Sequence, residues 1–169
     1  MPRARRPILI NADYFITCTT HLRKTWFSDA KLAQIVVDQW RHYAEVYEFV
    51  LHTYAVLPDH YHVVINVGEK KTVSEILHAV NSYIATSVNG VFGRKLKTKI
   101  WGRRPWDEVI RNEEMYWQKI AYTLFNPWRA GIVEEPISSF RFSDIDEWIR
   151  CEGEEFLWDL FSQYKRWYE

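Results

Sequence analysis

Cysteine is scarce in this sequence, because Cys18 and Cys151 are the only two among 169 residues. They lie far apart and belong to no CxxC pair and to no Cys/His spacing that is typical of a zinc site. The pattern therefore argues against a disulfide framework and against a zinc finger. A chain of this length can bury a sizeable core without a disulfide, and we expect a reduced, cytoplasmic protein.

The sequence also has no long apolar run, and its formal net charge at pH 7 is zero. The N-terminal "MPRARRPILI" is charged, but its apolar part is too short for a signal peptide, and no other stretch is long enough to span a membrane. We therefore expect a soluble protein with no membrane partner. The 22 Lys and Arg residues balance 22 Asp and Glu residues, which argues against a protein that is basic over its whole surface.

The charge is nevertheless segregated along the chain. Residues 94–104, "RKLKTKIWGRR", carry six basic residues and no acidic one, whereas residues 141–169 hold eight acidic and four basic residues. Basic side chains release counterions when they bind phosphates, while Trp101 and Trp106 could stack on nucleobases or pack beneath them. A charge run alone is more often solvated surface. The candidate DNA contacts, including a smaller N-terminal cluster, are Arg3, Arg5, Arg6, Arg94, Lys95, Lys97, Lys99, Trp101, Arg103 and Arg104.

Side-chain periodicity predicts an α+β fold in one domain over residues 1–169. The predicted strands cover residues 13–20, 47–57, 60–67 and 107–111, and the predicted helices cover residues 29–46, 73–90, 112–125 and 154–167. Ser28 and Asn112 are the expected N-caps, and Pro127 is expected to end the third helix. The order βαββαβ, followed by a further helix, suggests a ferredoxin-like antiparallel sheet with helices on one face.

Two histidines share one side of the third predicted strand, in "AVLPDHYHVVINV" at residues 55–67. Because strand side chains alternate between faces, His60 and His62 point the same way, with Cα atoms about 7 Å apart, whereas Tyr61 points the other way. Two imidazoles so placed can converge on one metal ion. A pair of strand histidines is about as often a packing or hydrogen-bonding feature as it is a metal site.

A phenol and an amide occur one helical turn apart on the helix before Pro127. Tyr122 and Asn126 are four residues apart, so both side chains can reach the same target. Taken singly, Tyr122 is more simply read as a core tyrosine, and Asn126 as the end of a helix before a proline. Only their combination with the histidine pair points to a site.

The joint pattern resembles a known family. "VLPDHYHVVINV" and "IWGRRPWDEVIRNEEMYWQKIAYTLFNPWRAGIVEEP" look like the REP-associated tyrosine transposases, a branch of the single-tyrosine HUH transposases that act on single-stranded DNA. The resemblance covers about residues 8–140, leaving a C-terminal extension over about residues 141–169. It implies an HUH nuclease core with Tyr122 as nucleophile and with His60, His62 and Asn126 as ligands of Mg²⁺ or Mn²⁺.

The resemblance also implies an activity and a partner. It suggests a metal-dependent endonuclease and strand transferase that cleaves at hairpin-forming repeat DNA through a 5′-phosphotyrosine intermediate. It leaves open whether the protein is a monomer or a homodimer. Two alternatives remain at this point: a catalytically silent protein of the same fold that binds single-stranded or hairpin nucleic acid, and a metal hydrolase that acts on small phosphate esters.

Overall fold

A computed structural model describes residues 9–93 and 98–167. Four antiparallel strands form one sheet in the order β2-β3-β1-β4. The strands are β1 (Asp13–Thr19), β2 (Val50–Leu57), β3 (His60–Asn66) and β4 (Trp106–Val109). The helices are α1 (Ala30–Tyr47), α2 (Val73–Val91), α3 (Glu113–Leu124), α4 (Asn126–Arg129), α5 (Ile145–Glu152) and α6 (Glu154–Tyr164). This order and topology confirm the predicted ferredoxin-like α+β class.

Helices α1, α2 and α3 begin at side-chain caps, with one correction to the sequence prediction. Asn112 caps α3 as expected, because its side-chain oxygen accepts a hydrogen bond from the Met115 N–H at 2.8 Å. The predicted cap Ser28 of α1 is wrong. Ser28 ends a 3₁₀ turn, Trp26–Ser28, and Asp29 takes the cap position, since its carboxylate accepts from the Lys31 N–H at 2.8 Å.

A layer of helices covers each face of the sheet. Helices α1 and α2 pack on the first face, where Trp40 and Ile84 meet the strand residues Ile16 and Val63. Helices α3 and α6 pack on the second face, in a cluster that contains Phe15 and other buried residues. The structure thus adds a second helical layer to the predicted sheet. Within the described part of the chain, no helix is both long and apolar enough to cross a membrane.

The pairing register of β1 and β3 decides which face each histidine occupies. Thr17 is paired with His62, and Thr19 with His60, so both histidines share the second face. Tyr61 points to the first face, as strand alternation predicts. Its ring is fully buried there, and its hydroxyl donates to Oδ1 of Asn81 at 2.8 Å.

The C-terminal extension is fixed to the exposed edge of β2. The Val56 N–H donates to the Phe142 carbonyl at 2.8 Å, and the Asp144 carboxylate accepts from the Thr53 hydroxyl at 2.7 Å and the Tyr54 N–H at 3.1 Å. Asp144 is buried. Burial raises the pKa of its carboxyl to about 6, and these hydrogen bonds only partly offset the effect.

Replacing Asp144 by asparagine should change how stability depends on pH. The carboxyl binds its proton more tightly in the folded chain, with a pKa of about 6, than at its ordinary value of 3.8. Its contribution to the free energy of unfolding is therefore largest in acid and is lost as the pH rises. Relative to Asp144→Asn, the free energy of unfolding of wild type should fall by about 3 kcal/mol between about pH 3 and about pH 7. Urea unfolding of both proteins tests this, and parallel pH curves would contradict it.

Candidate active site

The two histidines of β3 lie side by side on the second face of the sheet. Their ring centroids are 4.8 Å apart, with the rings inclined at 79°. His62 is 3% exposed and stacks on the ring of Phe15, with centroids 5.5 Å apart. His60 is half-buried at the start of the strand. The predicted convergence of the two imidazoles is therefore present in the fold.

Each imidazole is oriented through its Nδ1 atom. Nδ1 of His60 donates to the Asp59 carboxylate at 2.6 Å, and Nδ1 of His62 is hydrogen-bonded to the Thr17 hydroxyl at 2.8 Å. A carboxylate can only accept, so the ring proton of His60 lies on Nδ1 and its Nε2 keeps a lone pair. His62 keeps a lone pair on Nε2 in the tautomer in which its Nδ1 donates to Thr17. Nε2 of His62 is buried and, among the described residues, has no hydrogen-bond partner. A buried nitrogen lone pair of this kind is what a metal ion requires.

Burial and neighbouring charge keep His62 neutral. Burial is the main cause that lowers the pKa of His62 well below its usual value. The remaining contributions come from His60 and then from the cations Arg129, Arg23 and Lys119. Neutral imidazole is the form that coordinates metal ions, so the ligand needs no deprotonation at neutral pH.

Tyr122 of α3 packs directly against this pair. Its ring meets His62 edge to face, with centroids 5.2 Å apart at 80°, and meets Phe15 at 5.6 Å and 89°. Nη1 of Arg129 donates to the phenol oxygen at 2.9 Å, and the guanidinium carbon lies 5.3 Å from the ring centroid. Phe15 thus holds both the tyrosine and a histidine, while Arg129 fixes the phenol oxygen.

Asn126 lies at the first position of α4 and is 5% exposed. Helix α3 ends at Leu124, but hydrogen bonds of helical spacing continue, from the Phe125 N–H to the Ala121 carbonyl at 3.0 Å and from the Arg129 N–H to the Phe125 carbonyl at 3.1 Å. Asn126 therefore follows Tyr122 by about one turn, as the sequence spacing predicts.

A divalent ion at this site would take its protein ligands from the histidine pair and a nearby amide. The described residues contain no cluster of three or more histidine, cysteine or acidic side chains that could hold a metal. A metal here would accordingly depend on His60 and His62 with the amide oxygen of Asn126. Two neutral imidazoles and one amide oxygen leave coordination positions for water or phosphate oxygens.

Three cations surround the site, and sequence reasoning identified none of them. Arg23 forms an ion pair with Asp59 at 3.0 Å. Lys119 forms one with Glu108 at 2.7 Å, and its Nζ lies 4.7 Å from the centroid of Phe15. Together with Arg129, they give the site a positive border that suits a phosphate group.

The predicted DNA contacts divide into three groups. Lys99, Arg103 and Arg104 are exposed. Trp101 instead packs in the core, with its centroid 5.5 Å from that of Tyr61 and its Nε1 donating to the Asn81 carbonyl at 2.8 Å. The others lie outside the described residues, namely Arg3, Arg5, Arg6, Arg94, Lys95 and Lys97.

Comparison with known proteins assigns the chain to a family. The family model described as "Transposase IS200 like" matches residues 9–110, more than half of the chain. The chain belongs to this family. The match includes both histidines and ends before Tyr122 and Asn126. No curated protein is significantly similar to the chain.

Two solved structures share the fold. The REP-associated tyrosine transposase bound to a REP hairpin is 21% identical, covers 89% of this chain and 87% of its own, and has a TM-score of 0.72. A protein of Deinococcus radiodurans R1 assigned as a transposase is 17% identical, covers 72% of this chain and 95% of its own, and has a TM-score of 0.52. The family match confirms the resemblance found in the sequence, and the structural matches confirm the fold. The IS200-like family gives the chain a transposase-type, DNA-cleaving role in general terms.

The neutral state of His62 can be tested directly. In the metal-free protein, its imidazole should stay neutral at about pH 6, where an ordinary histidine side chain with a pKa of about 6.5 is mostly protonated. The reason is that burial lowers the pKa of His62. Two-dimensional NMR of ¹⁵N-labelled imidazoles, assigned with His62→Gln, checks this. Titration of His62 near the ordinary value would contradict the buried geometry.

Proposed function

We propose that this protein is a metal-dependent endonuclease and strand transferase that cleaves single-stranded DNA beside hairpins, with Tyr122 as the nucleophile. One observation carries the proposal: the phenol of Tyr122 packs against His62, whose buried Nε2 is available to a metal ion. A core tyrosine without a catalytic role would not require a hydroxyl that is hydrogen-bonded to an exposed arginine beside an imidazole.

The proposed reaction exchanges one phosphoester bond for another. The phenol oxygen of Tyr122 attacks phosphorus, the bond from phosphorus to the 3′ oxygen breaks, and a 5′-phosphotyrosine forms. The phenol proton leaves to water, and the 3′ oxygen takes up a proton to become a free hydroxyl. Because the ester bond is kept, attack by a 3′-hydroxyl on the phosphotyrosine rejoins DNA and releases the tyrosine. The same site therefore accounts for both cleavage and strand transfer.

A divalent ion, Mg²⁺ or Mn²⁺, would be held by His60, His62 and Asn126. Such an ion supplies Lewis-acid polarisation of a phosphate and neutralises charge in the transition state. Thr17 and Asp59 contribute by fixing the two rings through Nδ1. Hydrogen bonds of this type maintain ligand orientation at metal sites.

The cations at the border of the site would bind the remaining phosphate charge. Arg129 contacts the phenol oxygen itself, so it can hold the nucleophile in place and also neutralise charge on the tyrosine oxygen when it is the leaving group during rejoining. Arg23 and Lys119 would contact neighbouring phosphates of the strand. The solved relative is bound to a REP hairpin, and we propose hairpin-forming DNA as the substrate class here too.

Removal of the phenol oxygen should abolish the covalent intermediate. Tyr122→Phe keeps the ring contacts with Phe15 and His62 and should fold normally, but it should form no protein–DNA adduct. Labelled hairpins built from inverted repeats beside the gene, incubated with Mg²⁺ or Mn²⁺ and separated on denaturing gels, measure this. Tyr116→Phe and Tyr83→Phe are matched controls, because Tyr116 lies against His52 and Tyr83 is exposed on α2. Both controls should cleave as wild type does.

The same assay separates the alternatives. If wild type shifts the hairpin in a native gel but never forms an adduct, the protein is a silent nucleic-acid-binding member of the fold. If it neither shifts nor cleaves the hairpin but hydrolyses a small phosphate diester, the hydrolase reading holds. An adduct that survives in Tyr122→Phe would show that the nucleophile has been wrongly assigned.

Loss of Arg129 should slow the chemical step more than it weakens binding. A hydrogen bond from a charged donor contributes about 1.5–3 kcal/mol, so Arg129→Met should reduce the single-turnover rate of adduct formation by about 10- to 150-fold. The dissociation constant of DNA, measured with the Tyr122→Phe background to prevent cleavage, should change much less. Arg150→Met is the control, because Arg150 is exposed on α5. Equal losses of rate and binding would make Arg129 a simple phosphate contact.

A further inference from the structure

Strand β4 begins with a tryptophan whose side chain is largely exposed to solvent. Trp106 is 65% exposed, whereas the neighbouring Trp101 is packed between Phe27 and Tyr61. Trp106 therefore contributes little to the core. Single exposed apolar side chains are common on protein surfaces, so it is the position of Trp106 that marks it.

The sheet register puts this indole on the face that carries the histidines. Trp106 is paired with Thr17, and Thr17 is paired with His62. Directly paired residues project from the same face of an antiparallel sheet. Neighbouring strands lie about 4.8 Å apart, so the backbones of Trp106 and His62 are separated by about 10 Å. The indole thus borders the candidate active site on the side of the β4 edge.

The chain just before Trp106 is basic and is held close to the sheet. The Gly102 N–H donates to the Thr19 carbonyl at 2.8 Å, and a Cβ at Gly102 would lie only 3.0 Å from the Thr20 carbonyl oxygen. Only glycine, which has no Cβ, easily accommodates this close approach of the two backbone segments. The approach places the exposed Arg103 beside the end of β1 that pairs with His60 of β3. Arg104, also exposed, instead lines a cavity against α2 on the first face.

An exposed ring between the candidate phosphate site and an exposed arginine matches one ligand chemistry. A nucleobase offers a flat aromatic face to the indole, and its backbone offers anionic oxygens to Arg103. A purely apolar partner would make no use of the arginine charge. A folded acidic protein surface would match this charge but would offer no planar group for the ring.

We propose that Trp106 is a stacking platform for a base of single-stranded DNA adjacent to the scissile phosphate, with Arg103 binding a phosphate of the same strand. The inference rests on the proposed function for the position of the scissile phosphate. Because every base has an aromatic face, the platform fixes the path of the strand without selecting its sequence.

The test uses binding without cleavage. In the Tyr122→Phe background, fluorescence anisotropy measures the affinity for a labelled hairpin whose single-stranded flanks are oligothymidine. Trp106→Ala should weaken binding about 5- to 150-fold, and Trp106→Phe should restore most of the loss because it keeps a ring. Trp158→Ala is the matched control, since Trp158 is a partly exposed indole on α6 that packs on Phe161. It should bind as the parent does.

An abasic scan identifies the stacked nucleotide. Each flank position is replaced in turn by an abasic residue, and one position should lower the affinity of the parent strongly. In Trp106→Ala the same replacement should have little further effect, because ring and base form one interaction. If the penalty at every position is the same in both proteins, the platform does not exist. This binding result is independent of adduct formation. If the coupled loss is found while wild type forms no adduct in the cleavage assay, the proposed function is overturned and the stacking site remains.

Discussion

The pairing of β1 with β3 is the constraint on which the site depends. Thr17 lies opposite His62 in this register, and the apolar side chains of Tyr61 and Val63 enter the core formed with α1 and α2. A slip by one residue would exchange the faces, turning both histidines toward α1 and α2 and Tyr61 toward α3. The free energy of burying the aromatic and β-branched side chains on the first face therefore also fixes the imidazoles on the second.

The second face brings the phenol of Tyr122 to the imidazole pair and so forms the candidate site. Phe15 is the contact shared by His62 and Tyr122, so strand and helix are held against one another by a ring that neither ligates nor reacts. The C-terminal extension adds α6, which packs on α3, and Asp144 fixes the same extension to the edge of β2. Side chains supported from both sides in this way are held more rigidly than side chains on a free loop.

Local sequence rules predicted those parts of the site that depend on period alone. Strand alternation put His60 and His62 together, and helical spacing put Asn126 one turn after Tyr122. The partners Thr17 and Phe15 could not be found in this way, because they are brought to the histidines by pairing over more than forty positions of the chain. Asp59 offered a signal, since it directly precedes His60 in "PDHYH". The two tryptophans of "WGRRPW" could either stack on nucleobases or pack beneath them, and only the fold decides between these alternatives. It packs Trp101 against the core and leaves Trp106 exposed.

The central claim is that His60, His62 and Asn126 form one metal centre beside the phenol of Tyr122. The most direct measurement is a crystal structure of the protein soaked with Mn²⁺, with anomalous difference maps collected at the manganese absorption edge. We expect a single strong peak within coordination distance of Nε2 of both histidines and of the amide oxygen of Asn126. A peak elsewhere, or none here at saturating Mn²⁺ with the two rings in the orientation set by Thr17 and Asp59, would contradict the account.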